Sequence, residues 1–289
     1  MISLLLFMAL VGPAEQVDMM LGPCAQVVPT LDVAEVQLVL SADQASSVAA
    51  VDAIIRWDPS ELELLEAVPG PGPWFVTGFL DDPDGINTDI DDGLALYTAL
   101  SPPQSAIVLP PDLVVATFRF RVMRRGNVEL LDTSGVHASS KVVGTSPGQI
   151  ITGLLERPSA IHTEAGTWTD LGGGTPGSNG TPTLAGTGDL VECAPTTITL
   201  TQAPPSTLTA AWISFAPVPF AALGGTVHAH PYATQLFFNT SASGSFQATT
   251  GWPGGLPPGT DVWFQFLVHD PTVPGAITLS NGLRATTPL

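Results

Sequence analysis

The chain has 289 residues, with 26 acidic against 8 basic side chains, a net charge of −18, and only 12% charged residues. That balance argues against nucleic acid as a partner, because neutralising phosphates takes clustered Lys and Arg. With 29 Gly, 28 Pro and 44% hydrophobic residues, the chain sits below low-complexity composition and can build a core; its length allows two domains.

The N-terminus reads MISLLLFMALVGPAEQ. Ile2–Val11 is a short apolar run followed by Gly12 and Ala14, too short to span a bilayer and suited to the apolar region of a secretory signal. Residues 1–16 are therefore expected to be a signal peptide, although no Lys or Arg precedes the run. The alternative is a buried first strand. A secreted or cell-surface location follows, and nothing later in the chain is apolar for long enough to form a transmembrane helix. Two cysteines, Cys24 and Cys193, fall in different expected domains. Two separate thiols are the expectation and a disulfide the alternative.

Short Val/Thr/Ile/Phe-rich runs separated by Gly/Pro turns predict an all-β protein, and no long segment after the N-terminus has helical periodicity. A first domain is expected over 27–163. Its strands are Val33–Leu40, Val48–Trp57, Gly93–Leu100, Leu113–Val122, Asn127–Leu131 and Gln149–Leu155. Turns at Pro69–Pro73, Asp81–Asn87, Pro102-Pro103, Pro110-Pro111 and Arg125–Asn127 separate them. In the run LVVATFRFRV, alternation places Arg119 and Arg121 on a solvated face opposite Phe118, Phe120 and Val122. A second domain is expected over 164–289, opening with a Gly/Thr-rich segment, Thr167–Leu190. Strands at Thr196–Thr201, Leu208–Phe215, Gln235–Asn239 and Val262–His269 follow. The first domain carries 18 acids against 7 bases and the second 6 against 1, so the second relies on Thr, Ser and Gly for its polar surface. The spacing of strands fits two β-sandwich domains.

The stretch VDAIIRWDPSELELL (Val51–Leu65) joins an alternating strand to Trp57-Asp58-Pro59. Thr117-Phe118-Arg119-Phe120-Arg121-Val122, followed by the Gly126 turn, comes later. Together they resemble the aromatic-Asp-Pro corner and the late T-F-x-F-x-V strand of cohesin modules, over roughly 130 residues. The resemblance implies a jelly-roll sandwich, shared by cohesins and some carbohydrate-binding modules. It implies a non-enzymatic extracellular module that binds a dockerin-like or other protein module, or a polysaccharide, in a setting of polysaccharide breakdown. Residues 69–93 depart from the cohesin pattern. The Asp-Leu-Gly-Gly opening, the Leu223-Gly224-Gly225 middle and the Leu279-Ser280-Asn281-Gly282-Leu283 ending resemble a C-terminal domain found in secreted proteins of planctomycete-like bacteria. That resemblance implies no activity.

The loop Asp81-Asp82-Pro83-Asp84-Gly85-Ile86-Asn87-Thr88-Asp89-Ile90-Asp91-Asp92-Gly93 gathers six carboxylates, which repel one another unless solvated or bound to a cation. Ca²⁺ takes six to eight oxygen ligands of this kind, and Asn87, Asp89 and Asp91 fall at the first, third and fifth positions of a calcium loop. Asp92, however, stands where such a loop needs Gly. A solvated acidic turn is the alternative, and a recognition edge formed by Asp81, Asp82, Asp84, Asn87, Asp89, Asp91 and Asp92 is a third reading, since charged rims set specificity. No other cofactor is expected. Trp74 and Trp252 lie in Gly/Pro-rich loops, where an exposed ring could stack on a sugar; plugging the end of a sandwich is the plainer role. Trp57, Trp212 and Trp263 lie in strands and are expected in the core.

Three further constellations carry less. Gly144-Thr145-Ser146-Pro147-Gly148 matches a nucleophile-elbow pattern, but Pro147 has no N–H to donate to an oxyanion. His228 and His230 share a face if extended, and His269-Asp270 ends another strand, which is weak support for a metal site. Glycoside hydrolysis needs two carboxylates converging in a cleft, and the acids here concentrate in one loop. The structural alternative to binding is a self-associating surface or matrix protein.

Overall fold

The computed structural model describes residues 16–102, 107–109, 112–146, 148–156 and 158–289. The expected signal segment, apart from Gln16, and the Pro103, Pro110-Pro111 and Pro147 turn positions lie outside the described residues. The fold is all-β: among the described residues every regular element is a strand or a three-residue 3-10 turn. No helix among them is long and apolar enough to cross a membrane. The described residues divide into two compact units, one within 16–24 and 30–161 and the other within 25–29 and 162–289.

The first unit is a jelly-roll-class sandwich. One sheet runs in the order Thr152–Glu156, Val17–Gly22, Val33–Ser41, Asp112–Val122, Leu62–Pro69. The facing sheet runs Ser159–His162, Gly126–Leu131, Ser47–Arg56, Leu94–Leu100, Val76–Phe79, and Lys141–Gly144 also pairs with Ser47–Arg56. Alternation builds the core between them. Val36, Leu38 and Leu40 from one strand and Phe118, Phe120 and Val122 from its neighbour are fully buried, as period-two patterning requires when one sheet face is covered. Val17–Gly22 belongs to this sandwich, upstream of the expected start at residue 27, and buries Val17, Met19 and Leu21. Leu62–Pro69 is a further strand. Its alternation slips at Leu65, where the register with Asp112–Val122 shifts between Leu64 and Glu66, and a bulge of this kind hides a strand from a strict period-two reading. Trp57 closes one end of the core, its ring 5.4 Å from Phe120 in an edge contact.

The second unit has a sheet ordered Thr167–Gly172, Gly282–Thr286, Asp261–His269, Leu208–Ser214, Thr234–Asn239 and a three-stranded sheet ordered Thr183–Thr187, Pro195–Thr201, Phe246–Gly251. Leu184, Leu200, Ala211, Trp252, Val262, Phe264 and Phe266 belong to its core. Trp212 departs from the expected core position. Ala211 and Ile213 beside it pack on the core, so alternation turns Trp212 to the opposite sheet face, where it is half-buried and packs against Tyr232 in a tilted contact, ring centroids 4.8 Å apart.

The three Gly-containing motifs of this unit meet. Thr226 N–H donates to the Gly173 carbonyl at 3.0 Å, and Leu279 N–H to Thr175 Oγ1 at 2.7 Å. A Cβ on Gly225 would lie 2.3 Å from the Gly173 oxygen, and one on Gly282 would lie 2.6 Å from the His228 ring. The glycines are there for close approach of backbone and ring. Neither cysteine is a free thiol; both are disulfide-bonded, which corrects the expectation of separate thiols.

Candidate functional site

The acidic loop lies on the outer face of the sheet that contains Ser47–Arg56. Ile86 is its anchor: it is buried in a small cluster with Ile54 and Leu96, against which Leu94, Leu131 and Ala138 pack. Two 3-10 turns, Ile86–Thr88 and Ile90–Asp92, shape the loop. Gly85 and Gly93 adopt positive φ (70° and 94°) on either side. Gly93 has no substitute, because a Cβ there would fall 2.4 Å from the Trp57 carbonyl oxygen.

The side chains proposed as ligands are largely occupied by backbone. Asp82 Oδ1 accepts from the N–H of Asp84 and Ile86, at 3.0 and 3.1 Å, and its Oδ2 accepts from Asn87 N–H at 2.9 Å. Asp84 Oδ2 accepts from His137 and Ala138 N–H at 2.6 and 2.7 Å. Asn87 acts as a strand partner: its amide donates to the Leu80 and Leu96 carbonyls at 2.6 and 2.8 Å, while Oδ1 accepts from Leu96 N–H at 2.8 Å. Asp89 caps Asp91 N–H and Asp92 caps Leu94 N–H. These are Asx-type turns, in which a carboxylate satisfies nearby amides. Backbone hydrogen bonds hold the carboxyls of Asp82 and Asp84 below the usual range, in Asp82 against the opposing effect of burial. Asp81, Asp89, Asp91 and Asp92 are exposed. No three of the loop's described carboxylates gather into a ligand cluster within 4.8 Å.

A polar cleft of about 280 Å³ adjoins the loop, lined among others by Asp52, Asp81, Asp82, Thr98, His137 and Lys141. Asp52 takes up two of the groups inside it, pairing with Lys141 Nζ at 3.2 Å and accepting from Thr98 Oγ1 at 2.7 Å.

A larger surface lies on the opposite sheet, and only its arginines were legible in advance. Strand register sets side chains in rows across its outer face. Met20, Val39 and Val114 are aligned on three neighbouring strands; Gln37, Thr117 and Val68 form the next row; Glu35, Arg119 and Glu66 the next; and Val33, Arg121 and Glu63 the last. Arg119 bridges Glu35 at 3.2 Å and Glu66 at 2.7 Å, and Arg121 pairs with Glu63 at 2.6 Å. The face therefore carries one half-exposed apolar row at one end and an ordered charged lattice at the other. The missing sequence signal was the bulged Leu62–Pro69 strand, which supplies Glu63, Glu66 and Val68.

The remaining candidates separate. Trp252 is buried at 6% exposure. Trp74 is half-buried, with its indole nitrogen 2.6 Å from where a Cβ on Gly72 would be. His228 is half-buried, and burial lowers its pKa; His230 packs edge-on against Phe220 at 5.1 Å. Ser146 lies in a turn whose N–H groups, on Gly144 and Ser146, are taken by Gln149.

No family model and no curated protein matches this chain. Among solved structures, it is similar to the third cohesin of ScaC from Acetivibrio cellulolyticus, solved with the ScaB dockerin. That match has 16% identity and a TM-score of 0.39, covering 51% of this chain and 98% of that one. It is also similar to a type III cohesin of the cell-surface anchoring scaffoldin ScaE from Ruminococcus flavefaciens, at 13% identity and a TM-score of 0.40, covering 53% and 89%. A cohesin in the OlpC–Doc435 complex from Clostridium thermocellum is similar at 14% identity and a TM-score of 0.39, covering 52% and 97%.

Proposed function

We propose that the first unit is a non-enzymatic binding module of the cohesin kind, working outside the cell or at its surface, whose partner is a folded protein module. The observation that carries the reading is the outer face of the five-stranded sheet. Interfaces combine apolar area with polar groups around it, and here the Met20–Val39–Val114 row is followed, across the mixed Gln37–Thr117–Val68 row, by the Glu35–Arg119–Glu66 and Arg121–Glu63 lattice. Ion pairs that are already ordered lose little side-chain freedom on docking, and complementary charge selects the partner. A sugar-binding face would present coplanar exposed rings, whereas Trp252 is buried and Trp74 half-buried. The acids of the 81–93 loop support the reading as a shaped edge, because four of the six, Asp82, Asp84, Asp89 and Asp92, hold backbone amides in place.

The test is calorimetric titration of the full chain with a panel of purified dockerin modules, beside retardation in gels cast with soluble polysaccharides. Saturable binding to a protein module, weakened at least tenfold by the double change Arg119→Glu with Arg121→Glu, is the expected result. Retardation by a polysaccharide, lost on Trp74→Ala and indifferent to the arginines, would replace this reading with a carbohydrate-binding one.

A further inference from the structure

The second unit holds a feature that the binding face of the first does not explain. A cleft of about 380 Å³ lies between its two sheets. It is lined by the inward positions of five strands. Ala211, Val262, Phe264, Phe266 and Trp252 form a buried floor, while Phe215, Thr234, Leu236, Ala248 and Thr250 are exposed at the mouth. No Asp, Glu, Lys or Arg is among the lining residues. The cleft opens between Thr234–Asn239 and Phe246–Gly251, the end strands of their sheets. At the turn that joins these strands, the rings of Phe238 and Phe246 stack at 3.7 Å and close the gap. Toward the other end, Leu236 faces the cleft yet stays 53% exposed.

A well-packed sandwich fills this space with its own side chains. An apolar space of this size is a poor home for water, which needs two to four polar partners. Ligand pockets run from about 300 to 1,000 Å³ and are mostly apolar with a few polar groups. The cleft sits between layers roughly 10 Å apart, so its occupant must be thin; a folded surface or a second copy of the chain cannot enter it. It must also be uncharged where it is buried, because nothing inside would compensate a charge. We propose that this cleft is a binding site for an unbranched aliphatic chain. The tail lies over Ala211, Phe264 and Phe266, and the polar head of the ligand stays at the mouth beside the Thr234 and Thr250 hydroxyls.

The test uses the full chain and the neutral fluorophore N-phenyl-1-naphthylamine, displaced by 1-octanol, 1-decanol and 1-dodecanol. Saturable binding at one site per chain is expected, with displacement tightening by about fourfold for each added methylene. Ala248→Trp, at an exposed position on the cleft wall, plugs the mouth. It lowers probe affinity at least tenfold while circular dichroism and the melting temperature stay unchanged. Leu236→Asp does the same by placing a charge at the entrance. Non-saturable uptake, displacement indifferent to chain length, or affinity unchanged in both folded variants would overturn the proposal. So would a concentration-dependent dimer, seen in sedimentation, that excludes the probe and is broken by Ala248→Trp; that result would assign the edge strands to self-association. Binding of a protein module by the first unit is read separately, so failure of one assignment leaves the other standing.

Discussion

The two sandwiches hold their irregular segments by different chemistry. In the first, carboxylates at the surface do the work: Asp82 and Asp84 each collect several backbone amides, and Asn87 stitches the loop to Leu96. In the second, the groups are buried. Gln265 donates to the Thr226 and Ser280 carbonyls and accepts from His228 N–H. Asn281 accepts from Leu184 N–H at 2.6 Å and donates to its carbonyl and to Asp170. An exposed carboxylate cap is ionised cheaply, since water shares the load. A buried amide brings no charge of its own to desolvate but leaves costly orphans if removed. The difference matches the charge split between the domains and shows that a sparsely charged sandwich can still specify one geometry, through buried amides, close glycines and the buried carboxylate of Asp270.

The comparison can be broken at the buried amide first. Asn281→Leu leaves the N–H and C=O of Leu184 without partners and is expected to cost about 3 kcal/mol, with the Leu184 amide losing protection in hydrogen exchange. If that amide stays protected, the buried-clamp account fails. Acid sharpens the contrast next. Asp270 is fully buried, and bonds from Thr272 and Ser178 outweigh desolvation to hold its carboxyl at about 2, from 3.8. A depressed native pKa stabilises the fold above the unfolded value, and that contribution drains away as pH falls from about 4 to 2. Exchange protection at Ser178 and Thr272 should fall in that window, and Asp270→Asn should flatten the response. The smallest effect belongs to the surface loop. Asn87→Ala should cost roughly 1–2 kcal/mol, read as faster exchange at Leu96 N–H. Asp91→Asn, whose carboxylate holds none of the loop's backbone amides, should change it by less than about 0.5 kcal/mol.

Much of this was legible from residues. Period-two alternation placed Phe118, Phe120 and Val122 inward and Arg119 and Arg121 outward, because one face of a packed sheet must be apolar. The Gly motifs were visible, but their cause was not, since close approach needs the partner backbone in place. The acidic loop was visible as a charge run, yet which carboxylates were spent on backbone amides depended on the turn Ile86 imposes when it buries against Ile54 and Leu96. Trp212 and Trp263 looked alike within strands and were both expected in the core; sheet pairing puts both on the face opposite Ala211, Ile213, Phe264 and Phe266, where Trp263 is buried and Trp212 only half-buried.

The sequence by itself determined the all-β class, the strand faces and the division between an acidic and a nearly neutral half, because these follow from side-chain polarity at a fixed spacing. Tertiary structure alone decided which strands became neighbours. Long-range register sets Glu63 and Glu66 against Arg121 and Arg119, and the path of two end strands leaves a cleft unfilled in the second sandwich. Both depend on contacts between residues tens of positions apart, which no local pattern encodes.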